Sequence, residues 1–110
     1  MISPKPDPDF IWKSRSGRAY SYKKYPIGTN FRAVPGNYIF AKVVNGSWSP
    51  IYIGETGDLS DRFADHHQLL CIKSNGATHI FVHVSSTTRQ LRIDEETDLR
   101  HSYTTPCNQQ

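Results

Sequence analysis

The fold is decided by the stretch Gly36-Asn37-Tyr38-Ile39-Phe40-Ala41-Lys42-Val43-Val44 and by Ile51-Tyr52-Ile53-Gly54, which follows it after the turn residues Asn45-Gly46 and a short predicted loop through Pro50. Aromatic and β-branched residues dominate both segments, and Asn-Gly is typical of hairpin turns, so we expect two antiparallel strands. Alternation places Ile39, Ala41 and Val43 on one face with Ile51 and Ile53. It places Tyr38 and Tyr52 together on the other, less apolar face, where we expect chemistry.

Two helices and a third strand are predicted after this hairpin. The first helix runs from about Asp58 to Leu70, and Arg62 and His66, one turn apart, share one of its faces. The alternating segment 78–84 predicts the third strand, and a serine at 85 or 86 begins a second helix that ends near residue 103. Upstream, residues 10–25 predict a hairpin around a Ser-Arg-Ser-Gly turn, after a proline-rich start.

The length of 110 residues fits one domain with a single modest core. We therefore expect a small α+β domain, with a three-stranded antiparallel sheet flanked by helices and an additional N-terminal hairpin. Within it, residues 1–9 form a flexible tail, 10–35 a basic aromatic hairpin and loop, and 36–110 the core.

Neither a membrane span nor a signal peptide is expected. No apolar run approaches the ~18 residues that a span requires, and the first residues lack the apolar stretch of a signal peptide. We expect a soluble cytoplasmic protein with no membrane partner. Its two cysteines, Cys71 and Cys107, lie far apart without a CxxC motif, and we expect both to stay reduced.

Positive charge is concentrated in the first half of the chain. Residues 1–50 carry eight Lys and Arg against two Asp, a net of +6, whereas the remainder carries five against eight, a net of −3. Such a basic segment interleaved with aromatic rings is typical of a partner for polyanions, although a solvated lysine-rich face would have the same charge. The predicted nucleic-acid contacts are Lys13, Arg15, Arg18, Lys23 and Lys24.

Six residues with reactive or polar side chains are spaced along the chain at intervals that packing alone does not explain. Gly36-Asn37-Tyr38 and Tyr52-Ile53-Gly54 form two related tripeptides, and Arg62 and His66 follow on the first helix. Glu96 lies on the second helix, twelve residues before Asn108. With these motifs, the chain over residues 36–108 resembles the GIY-YIG nuclease domain, although Asn37 replaces the middle isoleucine of the first tripeptide.

The resemblance implies an endonuclease that hydrolyses DNA phosphodiester bonds with Mg²⁺ or Mn²⁺; RNA as a substrate is not excluded. It makes Glu96 the metal ligand, since a carboxylate with phosphate oxygens and waters often holds Mg²⁺. Arg62 would contact phosphate oxygens. Either Tyr38 or Tyr52 would be the general base, its pKa lowered by nearby cations, and the other would hold the water or a phosphate. The remaining site residues are His66, which would orient a tyrosine or contact phosphate, and Asn108, which would brace the site.

Local patterning offers a second reason to examine Glu96. Ile93 and Leu99 lie three residues to either side of it, so its carboxylate is expected to border apolar surface, whereas Glu95 and Asp98 fall on wetter faces. One departure from the family is Glu55, directly after the second tripeptide, where an acid would repel the backbone, help to bind metal or point away.

Two alternatives to a nuclease remain open from the sequence. The main one is a non-catalytic nucleic-acid-binding module on the same scaffold, which would need neither Glu96 nor a metal. A structural zinc site at His79 and His83, joined by Cys71, His101 or Cys107, is disfavoured because no known ligand spacing is present. Specificity would come from the basic N-terminal segment, from a partner protein or from a homodimer.

Overall fold

A computed structural model describes residues 10–61, 67–85 and 88–108. Within these ranges the chain forms five strands and two α-helices. The strands are β1 (Phe10–Lys13), β2 (Ala19–Pro26), β3 (Gly36–Val44), β4 (Ser47–Thr56) and β5 (His79–Val84); the helices are α1 (Leu69–Ser74) and α2 (Arg89–Ser102), and a short 3-10 turn covers Leu59–Asp61. None of the described helices is long and apolar enough to cross a membrane.

The strands form one curled antiparallel sheet in the order β1-β2-β5-β3-β4, so the expected three-stranded sheet is wrong. The predicted N-terminal hairpin exists, but it is part of the sheet. Its second strand has eight residues and its first only four, so the second half of β2 is left to pair with β5, from Lys23 opposite Val82 to Pro26 opposite His79. This pairing satisfies the edge of β5 that a three-stranded sheet would leave open.

Both faces of the sheet are buried. On one face, Ile39, Ala41 and Ile53 pack with Phe81 and with Leu99 of α2. On the other, the two tyrosines of the hairpin pack with Ile72 of α1, with residues of β5 and with Ile51. Ile51 joins the tyrosine face because a bulge opposite Phe40 and Ala41 shifts the register of β4. The alternation predicted both tyrosines correctly and Ile51 incorrectly.

The two predicted helices fare differently. The second helix is confirmed as α2, but the predicted start at a serine at 85 or 86 is wrong: Thr88 is the cap, and its hydroxyl accepts a hydrogen bond from the Leu91 amide at 3.3 Å. Of the first, the structure describes the 3-10 turn that follows Asp58 and then α1, which continues to Ser74 where a loop was expected. Residues 62–66 lie outside the described residues.

A disulfide joins α1 to the C-terminal segment, which corrects the expectation of two reduced cysteines. Cys71 and Cys107 have their Cα atoms 5.7 Å apart, a normal separation for a bridge. The Cys107 amide also donates to the Ile51 carbonyl at 3.1 Å. The C-terminal segment is therefore fixed at the outer edge of β4 by one covalent bond and by backbone pairing.

A buried polar network fixes α2 to the N-terminal hairpin, and it corrects the assignment of Glu95 to a wet face. The Tyr22 hydroxyl donates to a Glu95 oxygen at 2.5 Å, and His83 Nδ1 lies 2.9 Å from the same oxygen. Nearby, Asp98 accepts from the hydroxyls of Tyr20 and Ser14. These bonds hold the hairpin against the helix and so place its turn beside the end of α2.

This network predicts a loss of stability in alkali. Burial, reinforced by Glu95, raises the pKa of Tyr22 well above 10.0, and burial with the Asp98 hydrogen bond raises the pKa of Tyr20 to about 12. The contribution of both phenols is complete below the unfolded pKa near 10 and is lost as the pH rises beyond it, because only the unfolded chain ionises easily. Denaturation at several pH values should show this decline, and Tyr22→Phe should make it shallower. Ionisation of Tyr20 and Tyr22 near pH 10 in the folded protein would contradict this prediction.

Candidate functional site at the β4 edge

The two tyrosines of the predicted site are side by side. Tyr38 on β3 and Tyr52 on β4 stack with ring centroids 6.0 Å apart and planes 21° from parallel. Tyr38 is 2% exposed and Tyr52 is 9% exposed. Tyr52 also makes an edge contact with the ring of His67, 6.1 Å away. The face predicted to be less apolar is thus part of a packed core, with Tyr52 nearer its boundary than Tyr38.

Gly54 makes this stacking possible. It lies opposite Tyr38 in the β3–β4 ladder, and an added Cβ would lie 2.7 Å from the Tyr38 hydroxyl and 2.8 Å from a ring carbon of Tyr52. The third residue of the second tripeptide therefore needs to be glycine because two rings occupy the space above it.

We expect Gly54→Ala to destabilise the fold by about 1–3 kcal/mol, the usual effect of overpacking a closed site. The methyl group would push the tyrosine rings apart, so the near-UV circular dichroism should change with the stability. Gly57→Ala is the matched control, because nothing lies within 4 Å of its added Cβ. Equal stability of the two variants would show that the rings do not need this space.

Glu96 lies on α2 in a partly desolvated position. Burial raises the pKa of its carboxyl and the negative charge of Glu55 raises it further, whereas Arg100 and Arg89 act in the opposite direction. Its pairing with Arg100 is long, at 3.5 Å between Oε1 and Nη1, and its side chain keeps 18% of its surface exposed. This carboxylate is therefore partly desolvated, and Arg100 pairs with it only at long range.

Asn108 joins Glu96 to the strand that carries Tyr52. Its side chain makes two hydrogen bonds with the backbone of Ile53, accepting from the amide at 2.8 Å and donating to the carbonyl at 2.9 Å. Its own carbonyl accepts from Arg100, the partner of Glu96, at 3.3 Å. The side chain of Asn108 thus takes the place of a neighbouring strand at the β4 edge, and this is how it would brace the site.

The structure brings the predicted residues together in two groups. The tyrosine pair is one group, and Glu96 with Asn108 is the other. The tyrosine rings lie on the face covered by α1, whereas α2 covers the opposite face. The two groups therefore border the edge strand β4 from opposite sides and meet at its backbone beside Ile53. Arg62 and His66 lie outside the described residues.

The two departures from the resembled motif have structural roles. Asn37 points away from Tyr38, as expected, and its amide donates to the Arg92 carbonyl at 2.8 Å, which joins β3 to α2. Glu55 lies 3.2 Å from Arg92 Nε and 3.7 Å from Arg89 Nε. Its charge is used in a sheet–helix ion pair, so it does not act as an isolated acid.

The five predicted nucleic-acid contacts are exposed but do not form one patch. Lys23 and Lys24 are adjacent on β2 and so point to opposite faces. The Lys24 ammonium lies 5.3 Å from the centre of the Trp48 ring. Lys13 ends β1, and its carbonyl accepts from the Tyr103 hydroxyl at 2.6 Å. Arg15 and Arg18 lie in the turn of the hairpin.

No cluster of three His, Cys, Asp or Glu side chains suited to a metal ion occurs in residues 10–61, 67–85 and 88–108. His83 pairs with Glu95, and His79 packs against Trp48. Both cysteines of the zinc alternative form the disulfide, so they are not available as thiolate ligands.

Two features of this region were missed from the sequence. Arg100 is one of them. It lies one helical turn after Glu96, and this spacing could have predicted the ion pair between them. The Cys71–Cys107 bridge had no such signal, because its partners are 36 residues apart.

No protein-family model, curated protein or solved structure matches this chain.

Proposed function

We propose that the protein is a divalent-metal-dependent endonuclease that hydrolyses DNA phosphodiester bonds at the β4 edge. The observation that carries the proposal is the hydrogen-bonded connection from Glu96 through Arg100 and Asn108 to Ile53, the neighbour of Tyr52. Glu96 and Asn108, which both belong to the nuclease-like motif, converge through Arg100 on the β4 edge beside Tyr52, from the face of the sheet opposite to the tyrosine rings. A fold stabilised by core packing alone does not require that convergence.

The donor chemistry at Glu96 fits Mg²⁺ or Mn²⁺. Its carboxylate is a hard oxygen ligand, its pKa is raised by burial and by Glu55, and Arg100 neutralises it only at 3.5 Å. When bound, the ion supplies positive charge that stabilises the leaving oxygen. Holding the ion is the role of Glu96, and fixing the strand beside it is the role of Asn108.

The remaining steps belong to the tyrosines and to Arg62. One phenol, as phenolate, accepts a proton from the attacking water while the other holds the water or a phosphate oxygen. The resemblance gives Arg62 the role of contacting the phosphate, whose negative charge increases in the transition state and which a guanidinium suits as a planar set of donors. Proximity of the two rings keeps the water and the base in one orientation.

Incubation of supercoiled plasmid with the purified protein tests this function. We expect nicking with Mg²⁺ or Mn²⁺, none in chelator, and a loss of at least about a hundredfold in Glu96→Gln, since an essential metal ligand is removed. Asp94→Asn is the matched control, because Asp94 is an exposed acid on the same helix that contacts only Gln90 among the described residues.

Two results would overturn the proposal. Cleavage retained in Glu96→Gln would remove the metal role from this residue. DNA binding without cleavage under any ion would favour the non-catalytic module. Cytoplasmic location, and a homodimer or partner protein that provides specificity, remain predictions.

A further inference from the structure

A polar cavity of about 640 Å³ lies between the turn of the N-terminal hairpin and the end of α2. Its lining includes two guanidinium groups, an imidazole and several hydroxyl groups, from Arg15, Arg100, His101, Thr97, Ser102 and Thr104. No carboxylate belongs to the described lining of this cavity. The cavity is therefore a concave surface with guanidinium donors, hydroxyl groups and no acid.

The hairpin turn is fixed at this cavity through its backbone. The Arg15 amide donates to the Ser102 hydroxyl at 2.8 Å, and the same hydroxyl donates to the Asp98 carbonyl at 2.8 Å. The Arg15 guanidinium makes no hydrogen bond or ion pair with the residues that the structure describes. The hydrogen bond of the Arg15 backbone amide thus fixes this residue at the cavity and leaves all the donors of its guanidinium group available.

The second guanidinium connects the cavity to the candidate site. Arg100 donates to Glu96 and to the Asn108 carbonyl, and the other three of its five N–H groups are available to a ligand. Asp98, one turn before Ser102 on α2, already accepts hydrogen bonds from Ser14, Ser16 and Tyr20. The helix carbonyls at the end of α2 oppose an anion, so the guanidinium groups have to outweigh them.

We propose that this cavity binds a backbone phosphate of a DNA strand and leads the strand to Glu96. Planar guanidinium groups and hydroxyls are the donors that phosphate oxygens accept best. The volume exceeds what one free phosphate needs, which fits a passing strand. The proposal deepens the proposed function and rests on its DNA binding, but it does not rest on cleavage.

The test is the anisotropy of a labelled DNA duplex in chelator, so that binding is measured without cleavage. We expect Arg15→Gln to weaken binding about fivefold to tenfold and to reduce the dependence on salt by about one ion. Thr97→Glu, which adds an acid to the cavity wall on an exposed helix position, should weaken binding by at least about tenfold. Lys73→Gln on α1 is the control and should change binding less than about twofold.

Competition with inorganic phosphate and with a single mononucleotide distinguishes a strand from a free anion. If the duplex does not bind and these small ligands do, the DNA assignment is overturned. Equal binding by Arg15→Gln and Lys73→Gln also overturns it. If the protein does not cleave DNA but Arg15→Gln weakens binding, the phosphate site is supported and the nuclease is refuted. If the protein cleaves DNA and Arg15→Gln binds normally, the nuclease is supported and the phosphate site is refuted.

Discussion

Reduction of the Cys71–Cys107 disulfide is expected to lower the free energy of unfolding by about 4 kcal/mol, from the loss of a constraint that closes 36 residues of chain. The bridge also holds the segment that covers the outer edge of β4, where Cys107 pairs with Ile51 and Asn108 with Ile53. Without it, this edge would open more easily. The loss should therefore include faster hydrogen exchange at the Ile53 amide.

Urea denaturation with and without reductant measures this effect. The double substitution Cys71→Ser with Cys107→Ser should match the reduced wild-type protein and should not respond to reductant. Equal stability of oxidised and reduced protein would contradict the role given to the bridge. Since disulfides persist mainly in oxidising compartments, the bridge gives no support to the predicted cytoplasmic location.

Under the proposed function, Tyr52→Phe is expected to lower the cleavage rate by about 10²- to 10⁴-fold, the usual contribution of a general base. Tyr52 is the better candidate for the base because it is less buried than Tyr38 and adjoins Ile53, the residue held by Asn108. Tyr38→Phe should cost about tenfold, the effect of one lost orienting hydrogen bond. Both variants keep the ring, so the stacked pair should stay intact.

Single-turnover cleavage of plasmid by the two variants measures the difference, with unfolding curves as the control for stability. A larger loss in Tyr38→Phe would assign the base to Tyr38. Unchanged rates in both would show that neither phenol takes part in the reaction.

Most secondary structure could be predicted because it depends on local patterns. The segments 37–44, 51–54 and 78–84 identified β3, the second half of β4 and β5. The loop expected through Pro50 is wrong, because β4 begins at Ser47, and a bulge inserts one residue into this strand. The addition of the N-terminal hairpin to the sheet could not be predicted in this way. It depends on the length of β2 and on the free edge of β5, which are properties of two remote segments together.

The wrong assignment of Glu95 to an exposed face of α2 has a related cause. Its buried face runs through Arg92, Glu95 and Leu99, and two of these three residues are charged. Apolar periodicity cannot identify such a face, because the charges are buried only through partners elsewhere: Glu55 for Arg92, and Tyr22 with His83 for Glu95. Glu96, one position further, is partly desolvated.

The candidate site was predictable to the extent that it follows from motif spacing. Strand alternation predicted that Tyr38 and Tyr52 share a face, and the structure shows their rings stacked. The resemblance gave Asn108 a bracing role without naming its partner, and the structure shows that partner to be the backbone of Ile53. The separation of the tyrosine face from the α2 face was not expected, because it depends on which side of the sheet each helix covers.

The central claim, that Glu96 and the tyrosine strand serve one metal ion, is tested most directly by paramagnetic broadening in amide NMR spectra with a trace of Mn²⁺. We expect strong broadening of the amides around Glu96 and of Ile53 and Gly54, and its loss in Glu96→Gln. Broadening that leaves β4 unaffected, or that persists unchanged in Glu96→Gln, would contradict the claim.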